Sequence, residues 1–565
     1  MNSLVFRVGG EAGWGIATTA RILAKVSLKL GYYSFVSQEY ASQIKRGHNY
    51  HNIRISTQPV NADLDSVDLL LALDQQTLNQ HSNSLSSKGQ VLFNFDLDLK
   101  NPPSNYWAVD VSAVEQELNE KNLNNAVFLG ATIKLLGINW EILSQVMTEF
   151  FSDKPKLQSV LLKAAQAGYD SIETKVKLDF FNPLNVELLD GNSVISAGAL
   201  KARLKFHAQY PMTPVSGILH YLAKEALTNS ELVVIQPEDE IAAINMAIGA
   251  SYTGVRAMTA TSGGGFSLMV ESLGLASMAE VPLVIVLGQR PGPATGLPTK
   301  NEQGDLKFAL SAGQGDFPRV VIAPGDLAEC YTEIKRAFYL AEKYQLPVIL
   351  LVDKHLMESV GCINLNKEEP NFTFDYSQSI NVLNSIPLNM LNADGLFQRY
   401  ASNNLMRTLP GTENGIYTCA GDEHNDVGYI TEDSGIRIKM MQRRMNKLIS
   451  IEKELSLPQI LGNPQANCLV VGWGSTKGTI LEVIEKSNGK AKFLPIKYLL
   501  PFPSQAIKDI LSQTQKVILV ENNYSGQLGE LIREKTGIEI KDKILRYDGK
   551  TFTVNELYDE LNKKW

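Results

Sequence analysis

Several short segments of the chain hold residues whose types and spacing can do chemistry. In 236-QPEDEIAAINMAIGASYTG-254, Glu240 follows a strand-like run and opens an Ala-rich stretch. An acid in the first turn of a helix can simply offset the helix dipole. Here it precedes Ala242, Ala243, Ala247, Gly249 and Ala250, small residues that let a second backbone or a flat ring pack closely. A carboxyl kept partly protonated by burial can do acid–base work at neutral pH. In 258-MTATSGGGFSLM-269, Thr261 and Ser262 lead into Gly263, Gly264 and Gly265. Their hydroxyls and the N–H groups that follow can receive a ring edge or an anion. In 210-YPMTPVS-216 two prolines bracket Thr213 and stiffen its backbone. That segment is either a rigid loop with an incidental Thr or a mount for a hydroxyl that holds a small anion. In 288-GQRPGPATGLPTKNEQGDL-306, a Gly/Pro loop after an apolar run, Arg290 and Thr299 are candidates for a carboxylate clamp. Arg supplies the bidentate geometry for that role, and an Arg packed into an interface is the competing reading.

The N-terminal GGEAGWG lies between a strand-like run and a helical one. Its glycines depart from G-x-G-x-x-G, and no acid suited to a ribose follows about 20 residues on. A plain tight turn of a doubly wound sheet and a ligand loop both fit it. The cluster 45-KRGHNYHNIR-54 gathers Lys45, Arg46, His48, His51 and Arg54. It reads as a solvated basic loop or as a contact for coenzyme or cofactor phosphates.

These segments need elements to hold them. Residues 4–8, 52–56, 67–73 and 91–95 are strand-like, and helical spacing covers 16–30, 111–120 and 124–170. The alternation predicts βαβ units and a parallel sheet. A second α/β block has strands at 232–236, 255–261, 283–288, 319–324 and 347–353, with helices at 239–253, 266–279 and 326–343. Residues 361–455 are polar and end in a charged helix, 437–455. A last block has strands at 468–474, 492–498 and 516–522. The division expected is 1–185, 190–360, 361–455 and 456–565, in keeping with roughly three to four domains for this length.

The chain has 565 residues, 53 Lys and Arg against 60 Asp and Glu, and a formal charge of −7. No basic field exists to hold a polyanion, which argues against nucleic acid as a partner. Cys330, Cys362, Cys419 and Cys468 are scattered, without a C-x-x-C. That argues against a disulfide framework and against a zinc or iron–sulfur site on this chain, so no metal ligand is expected. The start carries no signal-peptide pattern, and the apolar runs are strand-length. A soluble cytoplasmic protein is expected. The segment 472-GWGSTKG-478 lacks the order of a phosphate-binding P-loop.

Taken together, the segments resemble the 2-oxoacid:ferredoxin oxidoreductases, in the form where a γ-type domain is fused ahead of the α-type domain. The most specific matches are EDEIAAINMAIGAS, TATSGGGFSLM and GQRPGPATGLPTKNEQGDL; GNSVISAGAL with YPMTP, GDEHNDVGYITED, GWGSTKG, VENNYSGQL and ILRYDGKTFT follow in order. The resemblance implies a multidomain α/β fold. It has a Rossmann-like γ domain, a pyrimidine-binding domain for thiamine diphosphate and a transketolase C-terminal-like domain. It implies that Glu240 activates the cofactor. Tyr210, Pro211, Thr261, Ser262, Gly263 and Gly264 would lie around that cofactor, and Thr213, Arg290 and Thr299 would hold a 2-oxoacid carboxylate. Lys45, Arg46 and His48 are candidate contacts for coenzyme A. Mg²⁺ and a [4Fe–4S] centre are expected on a separate β subunit, in an (αβ)₂ assembly. Ferredoxin or flavodoxin would take the electrons. The substrate expected first is 2-oxoglutarate, then pyruvate. A non-oxidative thiamine-diphosphate lyase or transferase subunit, and a non-catalytic nucleotide-binding scaffold, are the competing readings. This chain departs from the family pattern at Met212 and Val215, at Arg203 where Gly is usual, at Gln314 where His is expected, and at His48, which ends Arg46-Gly47-His48 in place of Arg-Gly-Gly.

Overall fold

The computed structural model describes residues 3–41, 47–97, 99–368, 382–401 and 404–565. Two compact units divide the chain. The first contains Met1–Asp190, Glu358–Asn364 and Phe552–Leu561. Its eight-stranded sheet runs, in spatial order, Tyr106–Val109, Leu85–Asn94, Val67–Ala72, Ser3–Glu11, His48–Ser56, Tyr33–Glu39, Val360–Ile363 and Glu187–Asp190. The first four strands are parallel. The rest join antiparallel. The expected parallel sheet therefore holds for one half only. The connection from Tyr33–Glu39 to His48–Ser56 is too short for a crossover helix, so the two strands must turn back on each other.

The helix Ile16–Lys29 lays Ile16, Ala20, Leu23 and Ala24 into the core of this unit. The single helical stretch expected over 124–170 is three helices, Asn124–Leu135, Trp140–Phe150 and Pro155–Asp170. Gly137, at φ +67, and Pro155 interrupt it. Gly130 and Gly168 then let two of these helices cross backbone to backbone. A methyl at either one would collide with Ala165 O or Val127 O.

The second unit contains Gly191–Met357, Leu365–Thr551 and Asn562–Trp565. Its larger sheet runs Tyr498–Leu500, Val320–Ile322, Pro347–Asp353, Leu283–Gln289, Ala257–Ser262, Phe206–Ala208 and Val233–Ile235. All are parallel except the Tyr498–Leu500 edge. The central strands are apolar on both faces and wholly buried, as strands covered on two sides must be. Its smaller sheet runs Leu461–Gly462, Ala491–Pro495, Cys468–Gly472, Lys516–Glu521 and Asp542–Leu545. The run read as one strand over 492–498 is thus split. Its first part joins the smaller sheet, and Tyr498–Leu500 crosses to the edge of the larger one.

The polar stretch 361–455 is more than a solvated connection. Phe397, Arg399 and Tyr400 within it are fully buried. The charged helix, Ser434–Glu454, turns Arg443 and Lys447 inward onto the buried Glu280, at 2.9 and 2.6 Å. A buried carboxylate is tolerated only with such partners.

Candidate active site

The strands Ala257–Ser262 and Leu283–Gln289 run side by side, with Thr261 opposite Leu287 and Ser262 opposite Gly288. Their carboxyl ends therefore place the glycine turn 263–265 next to Gln289 and Arg290. The outer end of such strands is where open α/β sheets bind ligands. The helix Glu240–Tyr252 packs against the helix Gly263–Met278 and brings Glu240 to the same end.

Asp239 caps the helix Glu240–Tyr252, its carboxylate accepting from Ala242 N at 2.8 Å. Glu240 is thus not needed as a cap. It is 5% exposed and, among the described residues, has no hydrogen-bond or ion-pair partner. An acid that neither caps its helix nor pairs with a cation, and whose oxygens are not sealed off, is available to a ligand. Gly265 makes the place possible. A methyl carbon there would lie 2.8 Å from Glu240 Cδ and would strike Glu240 Oε1 and Thr261 Oγ1. Ser262 Oγ and Thr259 Oγ1, both sealed from solvent, also lack partners.

Thr213 and Arg290 are brought together. Arg290 Nη1 donates to Thr213 O at 3.0 Å, and Pro214 and Val215 pack on Gly288. Thr299 lies half-buried farther along the Arg290 loop, Pro211 is half-buried, and Tyr210 is 37% exposed. Nothing in the structure explains Arg203 in place of the usual Gly. It sits at φ +61, the left-handed region that glycine enters without strain.

Three residues of the site were not singled out by sequence reasoning. Gln303 is fully buried and fastens the Arg290 loop to the smaller α/β part of the unit. Its backbone N–H donates to Asn522 O at 2.7 Å, and its side chain bonds Trp473 O and Asn522 N at 2.9 and 3.0 Å. Gln289 accepts from the N–H of Asp305 at 3.1 Å. Asp305 presses its carboxyl onto Gly263. The GWGSTKG segment serves the same assembly. Asp353 accepts from Ser475 N at 3.0 Å, and Lys477 pairs with Asp326 and with Glu329 at 2.5 and 2.8 Å.

In the first unit Gly9 and Gly10 lie within the strand Ser3–Glu11, so the glycine turn is confined to Gly13 and Gly15, at φ +93 and +71. Lys45 and Arg46 lie outside the described residues. His48, His51 and Arg54 lie in the strand His48–Ser56, not in a solvated loop. His51 and Arg54 are buried, Arg54 bonding Ser3 Oγ and Ala62 O at 2.9 and 2.8 Å. Arg7 meets His81 Nδ1 at 3.1 Å, and His81 Nε2 meets His48 Nε2 at 2.8 Å. Burial, aided by the charge of Arg7 and by His48, pulls His81 down to about 3, so it is neutral at physiological pH. Nearby, Glu11, Gly13, Gln38, Tyr40, Asn49 and His51 line a cavity of about 700 Å³.

Among the described residues, no group of three or more His, Cys, Asp or Glu is placed to hold a metal. No helix among them is long and apolar enough to cross a membrane.

A partnerless buried carboxyl beside a glycine turn, at the strand ends of a parallel sheet, fits a thiamine-diphosphate domain. Residues 197–382 match the family described as pyruvate flavodoxin/ferredoxin oxidoreductase, thiamine-diphosphate-binding. Residues 5–171 match the pyruvate ferredoxin/flavodoxin oxidoreductase family, and 466–557 match pyruvate:ferredoxin oxidoreductase core domain II. The chain is 33% identical to a 2-oxoacid:ferredoxin oxidoreductase subunit alpha from Sulfolobus, over 98% of this chain and 96% of the relative. It is 28% identical to the 2-oxoglutarate oxidoreductase subunit KorA of Mycobacterium tuberculosis, over 99% and 91%. The 2-oxoglutarate:ferredoxin oxidoreductase from Magnetococcus marinus, solved with 2-oxoglutarate, coenzyme A and succinyl-CoA bound, superposes with a TM-score of 0.88 at 29% identity. That match covers 100% of this chain and 99% of that one. The chain belongs to the 2-oxoacid:ferredoxin oxidoreductase alpha-subunit family. It is an oxidoreductase subunit with the family's thiamine-diphosphate-binding domain, and the name alpha subunit implies a partner subunit. Neither a scaffold nor a non-oxidative lyase fits that membership.

Proposed function

We propose that this chain, paired with a β subunit as (αβ)₂, oxidises a 2-oxoacid, 2-oxoglutarate before pyruvate. The 2-oxoacid, coenzyme A and two oxidised ferredoxins give acyl-CoA, CO₂, a proton and two reduced ferredoxins; a flavodoxin is the alternative acceptor. The partnerless Glu240 against Gly265 carries this reading. In it, residues 1–185 form the γ-type domain, 190–360 the pyrimidine-binding domain, 361–455 the connecting region and 456–565 the transketolase C-terminal-like domain. The β subunit supplies Mg²⁺ and the [4Fe–4S] centre, and the complex works in the cytoplasm.

Thiamine diphosphate supplies a nucleophilic carbon and an electron sink for decarboxylation. Glu240, which pairs with no other side chain, would share a proton with the pyrimidine N1′ of that cofactor. Thr261, Ser262, Gly263 and Gly264, with Tyr210 and Pro211, are the residues that would hold the cofactor. Arg290, steadied by Thr213 O, takes the substrate carboxylate by charge-assisted hydrogen bonds, with Thr299 as a second donor. Lys45, Arg46 and His48 are assigned to phosphates of coenzyme A. The match to the Magnetococcus enzyme over the whole chain supports the choice of 2-oxoglutarate.

The test is to co-purify the tagged chain with its β partner and measure ferredoxin reduction with each 2-oxoacid in turn. The reading expects CoA-dependent reduction that is fastest with 2-oxoglutarate. Faster reduction with pyruvate would overturn the substrate order. Reduction with no 2-oxoacid would overturn the whole assignment.

A further inference from the structure

We propose that Gln303 and Gln527 are positioning residues for substrate binding: together they fix the loop that carries Arg290 and Thr299 onto the smaller α/β part of its unit, so that this part sets the affinity for the 2-oxoacid carboxylate. The inference rests on the reading of Arg290 as the carboxylate clamp.

The loop between the strand Leu283–Gln289 and the helix Leu306–Ser311 has no helix or strand of its own, and its residues 292–297 are exposed. Such a segment keeps one shape only through the bonds it makes to its surroundings. At its neck, Gln289 Oε1 accepts from Asp305 N at 3.1 Å. At its start, Arg290 Nη1 donates to Thr213 O at 3.0 Å. Its second half is fastened to the smaller part.

Two glutamines do this from opposite sides. Gln303, in the loop, uses both ends of its amide. Nε2 donates to Trp473 O at 2.9 Å, and Oε1 accepts from Asn522 N at 3.0 Å. Its backbone N–H donates to Asn522 O at 2.7 Å, and its carbonyl accepts from Asn523 Nδ2 at 3.2 Å. Gln527, in the smaller part, reaches back. Its Nε2 donates to Gly304 O at 2.7 Å, and its Oε1 accepts from Lys307 N at 3.0 Å. That Lys307 N–H is a first-turn donor of the helix Leu306–Ser311, which the side chain of Asp305 leaves uncapped. Gln527 thus caps the helix from across the fold. Asn301, two residues after Thr299, adds a bond from its N–H to Gly549 O at 3.0 Å.

The mount is itself locked. Asn523 Oδ1 accepts from Gly526 N at 2.7 Å, and Asn523 Nδ2 also donates to Glu521 Oε2 at 2.7 Å. Glu521 is fully buried and accepts from Trp473 Nε1, Leu528 N and Gly529 N at 3.1, 3.0 and 3.1 Å.

These bonds are not needed to hold the two parts together. Val471, Trp473 and Leu519 of the smaller part share one apolar core with Ile285, Leu287 and Leu351 of the larger sheet. The strand Tyr498–Leu500 also pairs with Val320–Ile322. Apolar burial is non-directional, whereas an amide bonded at both ends admits one register. Both glutamines spend that precision on the loop of Arg290 and Thr299. Glu240 stands on a separate helix, Glu240–Tyr252. Loss of either glutamine lets the clamp shift without moving Glu240, so the effect belongs to binding.

The experiment compares wild type, Gln303→Met, Gln527→Leu and Arg290→Ala as αβ holoenzymes. It measures kcat and KM for the 2-oxoacid, the KM for coenzyme A, and the inhibition constant of the matching 2-hydroxyacid as an unreactive competitor. It also measures hydrogen–deuterium exchange at the thiazolium C2 of the bound cofactor. In both Gln variants the 2-oxoacid KM and the inhibition constant should rise about 10- to 100-fold, the scale of a misplacement of about 1 Å. The coenzyme A KM and the C2 exchange should keep their wild-type values, whereas a general loss of structure would move them too. A wild-type 2-oxoacid KM in either Gln variant, with a raised KM in Arg290→Ala, overturns the proposal and leaves the clamp standing. A joint loss of substrate affinity and C2 exchange also overturns it, since the glutamines would then serve the fold alone. A wild-type KM in Arg290→Ala removes the clamp reading, and this inference with it. Gln527 is half-buried, and Gln527→Leu decides alone should Gln303→Met fail to assemble.

Discussion

Gly265→Ala is the smallest change that reaches the centre of the site. In a helix, Ala is normally favoured over Gly by about 1 kcal/mol. Here the added methyl would lie 2.8 Å from Glu240 Cδ. Carbon pairs rest at about 3.5–4.0 Å, so the carboxyl must retreat by about 1 Å. Overpacking of that kind costs about 1–3 kcal/mol. Set against the helix gain, stability should fall by at most about 2 kcal/mol. Function should suffer far more, since a displacement of about 1 Å in a reacting group costs on the order of 100-fold in rate. The assay is 2-oxoacid-dependent reduction of ferredoxin or a viologen by the αβ complex, with a melting curve in parallel. Gly274→Ala is the control in the same helix, because its methyl would meet only Phe317, at ordinary contact distance of 3.8 Å. The expected result is a loss of about two orders of magnitude in turnover for Gly265→Ala, a small change in Tm, and full turnover for Gly274→Ala. Turnover of Gly265→Ala within twofold of wild type would refute the placement of Glu240.

Arg290→Ala removes a charge-assisted contact of about 1.5–3 kcal/mol. Its cost should appear mainly as a raised KM for the 2-oxoacid, and an unchanged KM would sink the clamp. His207 is fully buried, bonded to Gln209 Oε1 at 2.8 Å, and burial pulls it down to about 4. A histidine lowered on folding adds stability that is complete above the unfolded value of about 6.5 and lost as pH falls toward 4. Denaturant melts of wild type and His207→Gln should therefore differ in pH slope within that window, and equal slopes would contradict the burial argument. Glu280→Gln strips the counterion from Arg443 and Lys447, whose ion pairs with it measure 2.9 and 2.6 Å. Burial opposes its charge, but the cations outweigh burial and hold the carboxyl well below its usual range. Leaving those cations uncompensated should cost about 3–5 kcal/mol, and a loss under about 1 kcal/mol in urea titration would show that the pairs are dispensable.

The elements of the second unit were legible because they are periodic and long. The strand Leu283–Gln289 and the helices Glu240–Tyr252 and Leu327–Tyr344 fall within a few residues of the runs that announce them. What the sequence concealed depends on partners distant along the chain. The strand Tyr498–Leu500 looks like a continuation of Ala491–Pro495, and only the larger sheet's free edge explains the break. The cations of Ser434–Glu454 read as a solvated face because Glu280, far away in sequence, is invisible to a local pattern. Glu240 was picked out by the small residues that follow it. Its freedom from capping was not, since it depends on Asp239 taking that bond. Gln303 and Asp305 sat in a quoted motif without a role, because a Gln that pins two parts of a fold and an Asp wedged on a glycine leave no spacing signature.

The claim that Glu240 is the acid that activates the cofactor is tested most directly by hydrogen–deuterium exchange at the thiazolium C2 of thiamine diphosphate bound to the αβ complex. Wild type and Glu240→Gln would be compared at equal cofactor occupancy. A Gln of the same shape keeps the packing against Gly265 but cannot hold and return the proton. The account predicts that exchange slows by about 10²- to 10⁴-fold, the range of general acid–base catalysis. Exchange in Glu240→Gln at the wild-type rate would contradict it.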